Sequence, residues 1–226
     1  MNRLDEEVIG WDVLNWKCAV EFWQAYLPAD LSGTRSLEIG CGGGGLSLWL
    51  ALKNSYVVCS DYREPPPHTQ ALHRDWRVSD HVCYQTIDAT NIPYEGEFDI
   101  VILKSVLCSV GRLNRLDRVQ QALEEIHKSL KPGGKLLFAE NLDPPIHRFF
   151  RRSFVPWGKD CRYFKRDELL TSLSMFRKTE FGTAGFLGAF GRNERQRRIL
   201  GTVDRLFLSR MVGWKLHYLM FGVAQK

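Results

Sequence analysis

The sequence predicts an α/β fold: a doubly wound, mostly parallel sheet of seven strands, with an N-terminal helix and a helical, aromatic lid insert. Three observations predict it. Short apolar runs alternate with helix-period segments between residues 35 and 140. The first of those runs ends in Gly40-Cys41-Gly42-Gly43-Gly44-Gly45. The second and third each close on a carboxylate, Asp61 and Asp88.

Taken in order, residues 12–27 space Val13, Trp16, Val20, Trp23 and Leu27 as one helical face, stopped by Pro28. Ser36–Ile39 is a short buried strand that runs into the glycines and then a helix. Tyr56–Cys59 is a second strand ending at Asp61, and after Pro65-Pro66-Pro67 a short helix reaches about Trp76. His81–Ile87 and Phe98–Leu103 are the third and fourth strands, the latter apolar enough to be central. Leu116–Leu130 carries Val119, Leu123, Ile126 and Leu130 on one helical face. Pro132-Gly133-Gly134 ends it, and Lys135–Ala139 is the fifth strand. Strands and helices alternating at this length imply right-handed crossovers.

Beyond residue 140 the rhythm changes. Ile146–Phe154 is basic and aromatic, Asp167–Leu173 reads as a short helix and Arg177–Phe181 as a strand. Gly182, Gly185, Gly188 and Gly191 then recur across a stretch read as flexible. Asn193–Met211 reads as a helix with Ile199, Val203, Leu206 and Phe207 inward, opposite Arg192, Arg195, Arg198 and Arg205. Lys215–Val223 is the last strand. The organisation expected is one domain over 1–226: a helical segment (1–33), a cofactor-binding half (34–140), and acceptor, lid and last strands (141–226).

Composition narrows the classes. A chain of 226 residues with 44% hydrophobic and 25% charged residues is ordinary globular protein. No apolar run approaches the roughly 20 residues of a membrane span. The six cysteines form no CxxC pair and no histidines sit at metal-ligand spacing, so no metal site is expected. Cys59 and Cys83 are expected in buried strands. Without a signal peptide the chain reads as reduced and cytoplasmic. The net charge of +5 is uneven: residues 1–140 balance to −5 and residues 141–226 to +10. The basic part is either a solvated face or a surface for an anionic partner.

A parallel strand that ends in glycines and enters a helix builds a nucleotide or anion site, because the backbone approaches the ligand and the helix N-terminus offers free N–H groups. GxGxxG by itself also suits NAD. The surroundings are more specific. Glu38-Ile39-Gly40-Cys41-Gly42-Gly43-Gly44 resembles the first motif of class I S-adenosylmethionine-dependent methyltransferases of the small-molecule type. So do Asp61, Asp88-Ala89, Phe98-Asp99, Leu130-Lys131-Pro132-Gly133-Gly134 and the closing Phe221-Gly222-Val223-Ala224. The resemblance covers about residues 35–140 and, more loosely, the last ten.

It implies a Rossmann-like fold and S-adenosyl-L-methionine as cofactor, with no metal. The cofactor would be held by Glu38, Gly40, Cys41, Gly42, Gly43, Asp61, Tyr62, Asp88, Ala89 and Lys104. Asp61 would accept from the ribose hydroxyls and Asp88 would meet the adenine edge. An NAD-binding oxidoreductase is the competing class, but its hydride-transfer YxxxK pattern is missing: Tyr84 and Tyr94 have no Lys four residues on.

Acceptors of this family sit above the ends of the fourth and fifth strands. No [DN]PP[YF] follows the fourth, which argues against planar amino nitrogens of bases or glutamine. The expected acceptor is a small, anionic biosynthetic molecule methylated on O or N by in-line transfer. A nucleic-acid or carrier-bound acceptor is the alternative. His147 is the candidate base by residue type. Trp157, Tyr163, Phe164 and Arg192 are the candidate acceptor contacts, the first three inside a cover formed by residues 146–166. Interleaved cations and aromatics there also suit single-stranded nucleic acid or an anionic membrane.

Overall fold

The computed structural model describes residues 2–145, 147, 161–208 and 213–226. Two helices precede the sheet: α1 (Arg3–Ile9) and α2 (Val13–Gln24). α1, which the sequence pattern missed, is capped by the Asn2 side chain accepting from the Asp5 amide at 2.8 Å and is stopped by Gly10 at φ 81°. Next come β1 (Arg35–Ile39), α3 (Gly45–Ala51), β2 (Tyr56–Asp61), α4 (Pro67–Asp75), β3 (Val82–Thr86), β4 (Phe98–Lys104), α5 (Leu107–Val110) and α6 (Leu116–Ser129). The last elements are β5 (Leu130–Asn141), α7 (Arg166–Ser172), β6 (Lys178–Ala184), α8 (Glu194–Val203) and β7 (Leu219–Gln225).

The seven strands form one sheet in the order β3-β2-β1-β4-β5-β7-β6. Only β7 is antiparallel to its neighbours, β5 and β6. Strand order reverses between β1 and β4, so their C-terminal ends flank the crevice where doubly wound sheets bind ligands.

The alternation within single strands decides which core each side chain joins. In β4, Ile100 and Ile102 point to the face covered by α2 and α3, among Trp16, Trp23 and Trp49. Phe98, Val101 and Leu103 point to the other face, among Val119, Leu123 and Ile126 of α6. Leu137 and Ala139 of β5 divide from Leu136 and Phe138 in the same way. Both faces are apolar, so a parallel strand reads as an unbroken hydrophobic run.

Several expectations shift. β5 begins at Leu130 and carries Pro132-Gly133-Gly134 within it as an irregularity, with the β4–β5 register slipping between Phe98 and Ile100. Cys83 is exposed, because β3 is an edge strand. Gly182 lies inside β6, not in a flexible stretch; a Cβ there would lie 2.7 Å from the Phe221 ring. Lys215 belongs to a short helical turn, and the last strand starts at Leu219. Phe164 is fully buried in the α6-side core and pairs with Leu142, so it is a core residue and not a lining of an acceptor site. Ile199 and Leu206 are exposed and do not form an inward face. Trp157 and most of the expected cover lie outside the described residues.

Gly45 fixes α1 on the domain. A Cβ at Gly45 would lie 2.3 Å from the Glu7 carbonyl oxygen and 2.5 Å from that of Val8. In an isolated helix Gly45→Ala would help by about 1 kcal/mol. Here the clash is with backbone, so the sign should reverse, with a loss of about 1–3 kcal/mol in urea unfolding. A neutral or stabilising Ala would show that α1 is not seated on α3.

Candidate active site

β1 leaves the sheet through three left-handed glycines: Gly40, Gly42 and Gly44, at φ 70°, 52° and 79°. Their surroundings differ. A Cβ on Gly40 would meet Val106 at 2.6 Å, and one on Gly44 would meet Thr69 at 2.4 Å, so both are fixed by protein packing. Around Gly42 and Gly43 nothing lies within 4 Å of a built Cβ. The loop therefore offers bare backbone to open space at those two residues, and this is the shape a ligand approaching the main chain needs.

The carboxylates stand around this loop. Asp61, at the end of β2, accepts from the Gly42 amide at 3.0 Å and from the Tyr62 amide at 2.7 Å. A carboxylate has about four acceptor sites, so Asp61 keeps capacity for further hydroxyl donors. Tyr62 beside it is 68% exposed. Asp88 accepts from the Thr90 amide and hydroxyl at 2.9 and 2.8 Å and stands 3.6 Å from Arg118, while Ala89 is buried. Cys41 is buried with its amide bonded to the Ser60 carbonyl at 2.8 Å.

Glu38 lies beneath the loop, buried, and accepts from the Ser47 amide at 2.8 Å and from the Ser47 hydroxyl, which ties β1 to α3. Burial pushes its carboxyl up to about 7, against the lowering effect of Ser47 and Lys104.

At the ends of β4 and β5 a second group assembles that sequence reasoning largely missed. Glu140 is buried and accepts from the Val106, Leu107 and Cys108 amides at 2.8, 2.7 and 3.4 Å. It thereby satisfies the first free N–H groups of α5 from another strand. Burial raises it to about 7 as well. Ser105 sits at φ 58°, and its hydroxyl accepts from Asn141 at 2.9 Å. A non-glycine residue held left-handed at a strand end is a recurrent sign of a functional edge.

Asp12, at φ 48°, is buried with its carboxylate bonded to the Tyr218 hydroxyl and, at 3.0 Å, to Asn15. Burial lifts it to about 6 and puts the Tyr218 phenol well above its usual range. No run or spacing marks Asp12, because its partners come from residues 15, 194 and 218. The amides of Asp12 and Val13 are capped at 2.8 and 3.0 Å by Glu194.

Lys104 lies between these groups. Its Nζ is 5.0 Å from the Trp11 ring centroid and 4.9 Å from that of Trp16, and burial lowers it to about 8, opposed by Glu38, Asp12 and Glu140. Glu38, Gly40, Asp61, Asp88 and Lys104 thus share the C-terminal edge, as the sequence led us to expect.

The acceptor candidates are dispersed. His147 is buried, with Nε2 2.7 Å from the Phe186 carbonyl oxygen and its ring packed on Phe186, Phe190 and Tyr218. Tyr163 is half-buried, and Arg192 is exposed just ahead of α8 with its amide bonded to Gln196. Among the described residues, no three His, Cys, Asp or Glu groups gather at metal-binding distance.

Known proteins agree with this architecture. Residues 37–138 match a family model described as a methyltransferase domain. The chain is 30% identical over 119 residues to a demethylmenaquinone methyltransferase of Clavibacter sepedonicus, covering 52% of this chain and 45% of that one. It is 31% identical over 125 residues to a ubiquinone biosynthesis O-methyltransferase of Pseudomonas syringae pv. tomato, covering 54% and 50%. These matches span about half the length of the curated relatives. The solved 1,6-didemethyltoxoflavin-N1-methyltransferase of Burkholderia thailandensis superposes with a TM-score of 0.61 over 93% of this chain and 76% of that one; at 19% identity the likeness is one of fold. Sheet order and glycine turn define the Rossmann-like class I architecture. Over residues 37–138 the chain is similar to the methyltransferase-domain family, and it shares the class I methyltransferase fold.

A carboxyl raised on folding makes the native state bind more protons than the unfolded chain. Its cost to stability is absent below the unfolded value and complete above the folded one. For Glu140 that window is about pH 4.5 to 7. Urea unfolding of the wild type and of Glu140→Gln should therefore diverge as pH rises through it. The wild type should lose about 2–3 kcal/mol relative to the variant. A constant difference across the window would show that Glu140 titrates normally.

Proposed function

We propose that the protein transfers a methyl group from S-adenosyl-L-methionine to a small-molecule acceptor. The observation that carries this is the open backbone at Gly42 and Gly43 with the Asp61 carboxylate at its rim. Gly40, Cys41, Gly42 and Gly43 would offer their backbone to the methionine half, with Glu38 beneath. Asp61 and Tyr62 would take the ribose side, and Asp88 with Ala89 the adenine side. Lys104 would neutralise a carboxylate at the edge of β4.

The cofactor supplies a methyl group already activated on a sulfonium, a good leaving group. The protein's task is then to align the acceptor and exclude water. The acceptor would lie above the ends of β4 and β5, near Trp11, Lys104 and Ser105, with Tyr163 as a candidate contact among the described residues. Lys104 in that position favours an acceptor with negative charge. A base is needed only where the acceptor nucleophile keeps its proton until late, as a hydroxyl does. His147 and Asp12 are the groups of suitable type at this edge. The quinone-pathway names of the curated relatives support a biosynthetic acceptor.

Two variants separate ligand binding from folding. Gly42→Ala meets no protein atom within 4 Å, so beyond the strain of its positive φ, about 1 kcal/mol, its stability should change little. Calorimetric titration should nevertheless show cofactor affinity falling at least tenfold. Wild-type affinity in Gly42→Ala would remove the glycine turn from the site. Asp61→Ala should cost about 1.5–3 kcal/mol of affinity, the loss of charge-assisted hydrogen bonds, and an unchanged Kd would make Asp61 a support for the Gly42 turn only. Formation of S-adenosylhomocysteine in the presence of an acceptor tests the activity itself.

A further inference from the structure

α8 is fixed from behind. Glu194 binds the Asp12 and Val13 amides, and Gly201 packs on Leu14 so closely that a Cβ would lie 3.2 Å from the Leu14 Cβ. Asp204, immediately after the helix, accepts from the Phe186, Leu187 and Gly188 amides at 3.1, 2.8 and 2.9 Å. With its inner side held by these hydrogen bonds and by Gly201 on Leu14, the helix cannot roll to hide its outer side.

That outer side is unusual for one facing only water. Ile199 is 59% exposed and Leu206 68% exposed, seven residues apart. Arg192, Arg195, Arg198 and Arg205, all exposed, belong to the same stretch. Arg198 bonds Glu6 at 3.0 Å and Arg205 reaches Glu21 at 3.5 Å, but both pairs are exposed and therefore weak and exchangeable. The face continues the +10 charge balance of residues 141–226.

We infer that this face, formed by α8 and the helical turn Asp204–Leu208 that follows it, docks on an anionic lipid bilayer. Aliphatic side chains on a basic helical face enter the headgroup boundary, and guanidinium groups reach the lipid phosphates beside them. Aliphatic rather than aromatic residues on the described face count against single-stranded nucleic acid, which binds by base stacking. The dock goes beyond methyl transfer and does not depend on it. Where both hold, their geometry connects. The Arg197 guanidinium of α8 lies 5.6 Å from the Trp11 ring, and Trp11 lies against Lys104. Docking would then set the acceptor edge beside the bilayer, where a lipid-soluble or lipid-linked acceptor resides.

The test is co-sedimentation of the full chain with vesicles of phosphatidylcholine alone, or containing about 30% phosphatidylglycerol, at ~0.1 M salt. We expect binding to the anionic vesicles and little to the neutral ones. Arg195→Gln should lower the partition coefficient about fivefold. Ile199→Ser with Leu206→Ser should lower it at least threefold more. No binding, equal binding to both vesicle types, or variants that bind like the wild type would overturn the dock. Retention on a single-stranded oligonucleotide lost in the same variants would overturn it too, giving the face to nucleic acid. Cofactor titration of the same samples keeps the two readings apart. Variants that lose vesicles but bind cofactor normally support the dock, whereas a wild type that binds vesicles but no cofactor defeats the methyl-transfer reading alone.

Discussion

Three carboxylates and one lysine withdrawn from water at one end of the sheet constrain much of the rest. Glu38 ends β1, Glu140 ends β5, Asp12 opens α2, and Lys104 ends β4 with a charge felt by all three. A buried charge is tolerated only when hydrogen bonds and counter-charge replace its water. Ser47 does this for Glu38, the amides of residues 106–108 for Glu140, and Asn15 and Tyr218 for Asp12. The Glu140 and Asp12 arrangements join elements distant in sequence, and that of Glu38 ties β1 to the α3 that follows it. The polar edge adds to packing in fixing how these elements meet.

The apolar sheet beneath supplies the rigidity this edge requires. Strands buried on both faces cannot shift by one residue without moving every side chain to the opposite core. The C-terminal ends of β1, β2 and β4 are therefore set relative to one another, and the loops leaving them inherit that order. The glycine turn uses it selectively. Gly40 and Gly44 are consumed by packing on Val106 and Thr69, which anchors both sides of the turn. Gly42 and Gly43 stay bare between them, presenting a backbone that needs no rearrangement before a ligand arrives.

These relations explain which parts of the molecule were legible in its sequence. Strands in the first 140 residues declare themselves by apolar runs, and the turn by its glycines, because local chemistry decides both. Asp61 and Asp88 are legible because a strand end fixes their position. Asp12 is not, since its role is assigned by residues up to 206 positions away. Glu140 carries no local signal, because its task at the amides of residues 106–108 exists only where β5 pairs with β4. Phe164 shows the opposite error. An aromatic among cations reads as a lid residue, yet its backbone pairing with Asn141 and Asp143 draws it into the core. Ile199 and Leu206 fit a helical period equally well facing in or out, and Glu194, Gly201 and Asp204 together decide the rotation.

The N- and C-terminal segments show why the acceptor side resists reading from pattern. α1 rests on Gly45, α2 is capped by Glu194 of α8, and the turn between α1 and α2 brings Trp11 over Lys104. Tyr218, just ahead of β7, closes the same arrangement through Asp12, and Gly188 packs against both, with a Cβ that would fall 2.7 Å from the Tyr218 hydroxyl oxygen and 3.1 Å from Asp12. The surface above β4 and β5 is therefore built by pieces that meet only in the folded chain. A cofactor half shared across a family can carry its residues in order along the sequence. On the function proposed above, an acceptor surface assembled from both ends would change its ligand through a few substitutions at residues such as Trp11, with the sheet beneath left intact.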